Sequence, residues 1–555
     1  MTARPDLTRP LILALSALIL VASILPPETS GVSLAGCALL VALATAIAAT
    51  MGRIALGAWA LVASVPVLVL LGRFGVAPGV SVEPIAVVVL AMAAFVAASA
   101  AAEDGLAERL AAMLAVAGAA VGARAIYEIA WGLNRLAAEL HDHTSVVADA
   151  GAIAGRLEQG RAYAGFPTPA AAGGFLVLAL CATVPLLTVR SGRQRLLLLV
   201  AATIQAAGLL STRSLTAAAA LLVALTIAFA ASRSRRIAVA AAALFAAIAL
   251  VGALRAGQVF SQASDDNPWR LRAGDVRIGL AMAAAHPWLG VGPGGYAEAF
   301  PLYRRLGDNE SRHAHCLPLE LVAELGFAPG LAAATLFFLV FLGPLVGGIG
   351  GGVVERGVAL GLGAFALHNL SDFTAFLPSV LWIACVARGA LAHTAANRSL
   401  ASQSARLAWS GCVLLAAAFL VCSGMSAEAR QQARQDVLLG DDRAAAAVAD
   451  RAVFWAPWSV DAALLRAQAR FDVSPSEGNS ASAESDADRA VFLAPSRAAA
   501  REVRARLRAR NGDVPGAFAD FSAAAALHPA RSHYAERKAE AAAALPRPPD
   551  EEWPR

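Results

Sequence analysis

Residues 255–316 lie between two long apolar runs and gather side chains suited to acid–base and anion chemistry. They open with Trp269-Arg270-Leu271-Arg272, followed by an amphipathic segment, Val276–Ala285. Next comes His286-Pro287-Trp288-Leu289-Gly290-Val291-Gly292-Pro293-Gly294-Gly295-Tyr296, then a basic and aromatic patch, Phe300-Pro301-Leu302-Tyr303-Arg304-Arg305. His313-Ala314-His315-Cys316 closes the stretch, and the following apolar run carries Glu320 and Glu324 one helical turn apart. An imidazole titrates near neutral pH and can take a proton from a hydroxyl. A guanidinium stays charged and grips phosphate with two parallel hydrogen bonds. Arg213, in Leu210-Ser211-Thr212-Arg213-Ser214, sits on a very short connection between two apolar runs with no carboxylate nearby in sequence. That position suits a phosphate at a membrane surface, and equally a side chain that snorkels to headgroups.

Other chemistries fit less well. His-x-His followed by Glu-x-x-x-Glu does not have zincin spacing, and no Asp-x-Asp-type pair in this loop would hold a divalent ion, so we expect neither metal nor cofactor. The glycine run follows no strand and opens no evident helix, which argues against a nucleotide loop and for a tight turn back to the membrane surface. Arg124 and Glu128, four residues apart, would share a helix face and form a structural ion pair inside a bundle.

The elements that must position these residues are apolar. Of 555 residues, 58% are hydrophobic and 15% charged, and the mean hydropathy is +0.62. That balance excludes a soluble globular enzyme, a disordered chain and a coiled coil, and indicates an all-α, polytopic membrane helix bundle. Lys538 is the one lysine, so the net charge of +5 is carried by arginine. It implies anionic headgroups rather than nucleic acid as partners. Five of the six cysteines lie within apolar runs and Cys316 at the edge of one, with no Cys-x-x-Cys, so they read as small core residues. Met1–Pro10 carries two arginines before the run Leu11–Leu25, and no small-residue cleavage site follows, which reads as a retained first span.

At about 20 apolar residues per crossing, spans are expected near 11–25, 31–49, 54–72, 83–101, 110–132, 168–188, 195–211, 214–231, 236–254, 317–345, 355–370, 374–392 and 407–425, about 12–13 in all. One set of alternate connections holds Arg4, Arg9, Arg53, Arg109, Arg190, Arg193, Arg195, Arg233, Arg235, Arg236, Arg356, Arg388, Arg398 and Arg406. The short loops of the other set hold little beyond Arg73 and Arg213. The positive-inside rule makes the first set cytoplasmic, with the N-terminus inside and residues 133–167, the large loop 255–316 and the C-terminal tail outside.

After Gly424 the composition turns to Ala, Arg, Asp and Glu at helical spacing. Ala449-Asp450-Arg451-Ala452-Val453-Phe454 leads to Ala456-Pro457, and Ala487-Asp488-Arg489-Ala490-Val491-Phe492 to Ala494-Pro495. A weaker copy, Phe518-Ala519-Asp520-Phe521, leads to His528-Pro529. The spacing resembles tetratricopeptide-like helical hairpins over 427–545, with 1–425 as the membrane domain. Such a tail would offer a surface to a protein partner or a growing glycan assembly.

Taken in order, these motifs resemble the O-antigen ligase and O-antigen polymerase family of bacterial membrane glycosyltransferases. The elements are an arginine on a short outer connection, an arginine ahead of an amphipathic helix, the His-Pro-x-x-Gly-x-Gly-Pro-Gly run, and Ala-His-x-x-x-Leu-x-x-x-x-Glu-x-Gly. The likeness is strongest over about residues 205–330, and His368-Asn369-Leu370-Ser371-Asp372-Phe373 resembles a segment before a late span in many members. The resemblance implies transfer of a glycan from a polyprenyl diphosphate, with inversion, to a lipid or glycan acceptor hydroxyl at the outer face of the inner membrane. It implies Arg213 and Arg272 as diphosphate ligands and His315 as the base. Arg304, Arg305, Arg270, His313 and Glu324 are the further substrate contacts expected. Cys316 stands where the family usually has Asn, and Val276 where it often has Trp. The acceptor distinguishes a ligase from a polysaccharide polymerase or a protein O-oligosaccharyltransferase. A transporter or flippase and a tail-driven assembly scaffold are the readings from other classes. A transporter would favour broken midplane helices with polar residues.

Overall fold

The computed structural model describes residues 7–51, 68–101, 105–142, 157, 159–232, 234–254, 268–308, 310–347, 351–392, 402–472 and 479–545. Every regular element among them is a helix. Seven helices are long and apolar enough to cross a membrane: Gly31–Thr50, Val82–Ala100, Leu106–Ala138, Pro169–Val189, Gly192–Thr212, Leu215–Ser232 and Gln403–Leu438. Shorter apolar helices occupy other expected spans, at Thr8–Ile24, Phe327–Phe341 and Pro378–Ala390. The expected span 54–72 falls mostly outside the described residues. Helix starts are set by polar caps: the side chains of Ser30, Thr168 and Ser402 accept the backbone N–H groups of Ser33, Ala171 and Ala405.

Small residues let these helices approach closely, as membrane helices require where no hydrophobic driving force separates protein from lipid. A methyl group added to Gly424 would stand 2.2 Å from the backbone oxygen of Gly31, so the crossing of Gly31–Thr50 with Gln403–Leu438 tolerates nothing larger than glycine. One buried polar tie crosses the interior: Gln205 Nε2 donates to Ala115 O at 2.9 Å and Thr183 Oγ1 at 3.0 Å.

Three boundaries differ from expectation, each for a local reason. The span expected over 317–345 is two helices, Leu317–Leu325 and Phe327–Phe341, broken at Gly326. Gly326 has φ +87°, and a side chain there would strike Trp288 O at 2.4 Å. The helix expected over 407–425 runs on into the tail, as Gln403–Leu438. The helix opened by Leu106 continues through a π-helical turn, Glu128–Gly132, into Leu133–Asp142. At that turn Arg124 Nε and Glu128 Oε1 do pair, at 3.3 Å. Glu128 Oε2 also accepts the N–H groups of Tyr163 and Ala164, so the carboxylate anchors the following loop.

The tail holds three helix pairs: Asp442–Trp455 with Val460–Asp472, Asn479–Leu493 with Ala498–Arg510, and Val514–Leu527 with Ser532–Ala543. The prolines of the sequence repeat, Pro457, Pro495 and Pro529, fall in the turn inside each pair. An Arg–Asp ladder joins successive pairs. Arg470 bonds Asp450 at 2.7 Å and Asp486 at 2.9 Å, and Arg504 bonds Asp488 at 2.8 Å and Asp520 at 2.6 Å. The repeated Asp of the sequence motif, Asp450 and Asp488, thus bonds within its own pair, while Asp486 and Asp520 make the bonds between neighbouring pairs.

Candidate functional site

A cavity of about 2330 Å³ runs between the helices and is lined as deep as Phe95, Phe341 and Cys385. Its polar walls come from connections around residues 27–31, 79–84, 159–169, 215–216, 293–315 and 371–378, and from the tail. The arginine-rich connections lie elsewhere: Arg190 Nη2 pairs with Glu108 Oε2 at 2.9 Å, joining two of them at the other end.

The broken span builds the site. Because the chain stops at Gly326, the last carbonyls of Leu317–Leu325 need donors. The glycine run supplies them: Val291 N–H donates to Ala323 O and Gly292 N–H to Glu324 O, each at 2.9 Å. A side chain on Gly290 would meet Glu324 O at 2.2 Å. The glycine run therefore straps the kink, and the Glu324 carboxylate accepts Tyr296 N–H at 3.3 Å where it borders the cavity.

At the N-terminal end of the same helix, buried Glu320 holds the histidine loop. Its Oε1 lies 2.6 Å from His313 Nδ1 and its Oε2 accepts Ala314 N–H at 2.8 Å. His313 stacks on Phe373 at 4.3 Å between ring centres, and His315 meets the same ring edge-on at 5.0 Å. Leu317 N–H donates to Asn369 O at 2.9 Å. His315 borders the cavity with φ +51°, a left-handed conformation that costs a non-glycine residue free energy. Its Nδ1 is buried with no hydrogen-bond partner among the described residues. Burial lowers the His315 pKa from the ordinary histidine value, Asp372 opposes that shift, and Arg272 adds to it. The ring is thus biased towards its neutral, proton-accepting form.

Asp372 is the residue that motif spacing did not assign a role. It is 1% exposed and borders the cavity. Its Oδ2 lies 3.8 Å from His368 Nε2, which is itself 3.2 Å from Thr216 Oγ1. Thr216 lies on the helix that follows Arg213, so His368 stands between that helix and Asp372. The His-Asn-x-x-Asp-Phe motif carried the signal. Its Asn369 clamps the turn by donating to Phe365 O and Thr374 Oγ1 and accepting Ala375 N–H.

The expected site residues separate into two groups. His315, Arg272, His313 and Glu324 border one cavity. Arg272 extends from the loop helix Pro268–Ala285, one turn before buried Asp275. Burial pushes the Asp275 carboxyl up to about 7, with Arg272 opposing. Arg270, the alternative to Arg272, is exposed and donates to Gly307 O at 3.4 Å instead. Arg304 is bound up in the adjoining turn, donating to Asp308 O at 3.1 Å and Glu310 Oε1 at 2.7 Å. Arg305 is exposed and gives its backbone N–H to Asp308 Oδ2 at 2.7 Å. The basic patch therefore folds its own turn and does not face the cavity.

Arg213 also stands behind the wall. It caps Gly192–Thr212 with φ +48°, and its Nη1 donates to Gln159 O at 3.3 Å. The cavity-facing cation there is Arg161, whose Nε donates to Thr212 O at 3.1 Å. Sequence reading passed over Arg161 because it lies in a polar stretch with no motif around it. Among the described residues no group of three His, Cys, Asp or Glu side chains converges as a metal site.

The family model for O-antigen ligase matches residues 196–335. That stretch contains Arg213, Arg272, His313, His315, Glu320 and Glu324, and stops short of Asp372 and the tail. No curated protein matches the chain. The match supports a membrane role of O-antigen ligase or polymerase type in polysaccharide assembly.

Proposed function

With an O-antigen ligase domain at residues 196–335 as the premise, we propose that the protein transfers a glycan from a polyprenyl diphosphate carrier to an acceptor hydroxyl at the outer face of the bacterial inner membrane. The observation that carries the proposal is the shared cavity of His315, Arg272 and Arg161, at the end of the bundle away from the arginine-rich connections. The positive-inside rule then sets the cavity, the large loop and the tail outside, with the N-terminus in the cytoplasm.

The acceptor oxygen attacks the anomeric carbon, and a new glycosidic C–O bond forms. The bond from that carbon to the diphosphate breaks, and its electron pair leaves with the carrier. His315 takes the hydroxyl proton, which its neutral form permits. Arg272 and Arg161 meet the charge that develops on the diphosphate, and guanidinium groups do so without proton bookkeeping. Arg213 supports the Gln159–Arg161 loop from behind. Asp372 acts on His315 through its charge, which opposes the lowering of the histidine pKa. No metal is needed for these steps, because the developing charge is met by fixed cations.

A ligase fits better than a transporter because the polar groups gather at one end of the bundle, whereas a transporter holds its site near the midplane. The tail shares the cavity wall, which favours a part in the reaction over a separate scaffold. The reading is tested with reporter fusions after Arg195, Ser264 and Glu428, paired with an assay of purified protein and a lipid-linked glycan. Cytoplasmic signal after Arg195 only, with acceptor-dependent release of the polyprenyl diphosphate in the presence of chelator, is the expected pair of results. A cytoplasmic signal at Ser264 or Glu428 would put donor and site on opposite faces and sink the mechanism.

A further inference from the structure

The cavity has a second polar region, to which the tail contributes Arg430, Trp458 and Asp461. Asp461, at the start of Val460–Asp472, is held between Arg430 and Arg497. Burial alone would raise its carboxyl, but the two guanidinium groups outweigh that and hold it below the usual carboxylate range. Arg497 also grips Glu298 of the external loop, with Nε 2.9 Å from Oε2, which locks the tail against that loop. Arg430 leaves its buried Nε without a hydrogen-bond partner among the described residues. Glu83 and Arg312 face the same space with no hydrogen bond to protein among those residues.

The aromatic group is Trp458, in the turn of the first tail pair. It borders the cavity and stacks on Phe419 at 4.6 Å, and is only partly buried there. Trp458 follows Pro457 as Ser496 follows Pro495 in the second copy. The copies diverge where one faces the cavity and the other bonds Val76 O on the membrane part at 3.2 Å. Repeat geometry alone therefore does not call for an indole at this position.

We propose that Trp458, Asp461, Glu83, Arg312 and Arg430 form the subsite for the saccharide of the acceptor. This rests on the glycosyl-transfer reading above. Carboxylates interleaved with guanidinium groups suit a neutral polyhydroxyl ligand, since each charged group takes or gives hydrogen bonds to hydroxyls. The carboxyl oxygens of Glu83 and Asp461 accept hydrogen bonds, which a sugar hydroxyl donates and a phosphate oxygen does not. An indole face packs against the C–H face of a sugar ring. Arg272 and Arg161 are left to the diphosphate, and the acceptor hydroxyl approaches His315 from the tail side.

The test uses the full chain purified in detergent and lipid-free oligosaccharides released by mild acid from the source cell's own surface glycolipid. Calorimetric titration of the wild type and of His315→Ala should show saturable binding, because the subsite does not include His315. Trp458→Ser should weaken that binding by about tenfold or more, and Trp458→Tyr should restore most of it. In turnover assays the Trp458→Ser loss should appear as a raised KM for acceptor with the donor KM unchanged. Absence of saturable binding to the wild type, equal binding by Trp458→Ser, or a change confined to the donor KM would each overturn the proposal. Binding weakened only in Trp458→Ser, with transfer intact in His315→Ala, would instead remove the mechanism and leave the subsite standing.

Discussion

Glu320 Oε1 lies 2.6 Å from His313 Nδ1, and its second oxygen accepts Ala314 N–H, so one buried carboxylate fixes the two residues that precede His315. The left-handed backbone at His315 is sustained from this side by Glu320 and from the other by the bond of Leu317 N–H to Asn369 O. Replacing Glu320 with Ala removes the acceptor of a buried N–H, a loss of about 1–3 kcal/mol. The expected outcome is faster proteolysis within residues 304–316 with the rest of the chain still inserted. Unchanged cleavage kinetics would show that the loop holds itself.

The pH profile should carry the His315 environment. Burial lowers its pKa, Asp372 works the other way and Arg272 adds to the lowering. The deprotonated base then persists to lower pH than an ordinary histidine, so the acid limb of kcat/KM should fall below about pH 6.5. Asp372→Asn removes the opposing charge and should move that limb lower still while reducing kcat. An acid limb unmoved by Asp372→Asn would remove Asp372 from its electrostatic role.

Arg272 makes the arginine assignments separable. Arg272→Ala should cost about 10²–10³-fold in transfer, the range seen for lost transition-state electrostatic contacts. Lys should rescue poorly, since it lacks the planar fork. Arg270→Ala and Arg305→Ala should stay close to wild type, because both side chains are exposed away from the cavity. Steady-state rates of the four variants decide this, and equal losses at Arg270 and Arg272 would contradict the assignment.

The Gly31–Gly424 crossing ties the tail helix to the membrane part. Gly424→Val has no room and should push the tail off the cavity wall. Hydrogen exchange should then rise around residues 456–461 and 494–498, with the spans 169–189 and 353–368 unaffected. Protection unchanged in the tail would mean that the ion pairs of Arg497 hold it alone.

Much of this architecture is legible in the sequence. Apolar runs place the spans because a buried helix must satisfy its own backbone in lipid, and the expected and observed helix limits agree closely at 31–49, 168–188 and 214–231. The break at Gly326 was hidden inside an unbroken apolar run, since only the approach of Trp288 O reveals it. His313, His315 and Arg272 stood out by residue type and spacing. Arg161 and Asp372 did not, because each reaches the cavity only through packing of distant elements. Arg304 and Arg305 stand out for the converse reason: basic residues in a loop signal anion binding, and in the fold these two bond within a turn closed by Asp308 and Glu310. The repeat of the tail was visible, but not that its first turn would form cavity wall.

The central claim is that His315 accepts the acceptor proton. The direct measurement is transfer by His315→Ala in proteoliposomes, alongside donor binding by the same preparation. Transfer should fall by about 10²–10⁴-fold, the usual worth of a positioned base, with the protein inserted and donor affinity close to wild type. Transfer at near wild-type rate would contradict it and pass the acid–base role to Glu324 or His313.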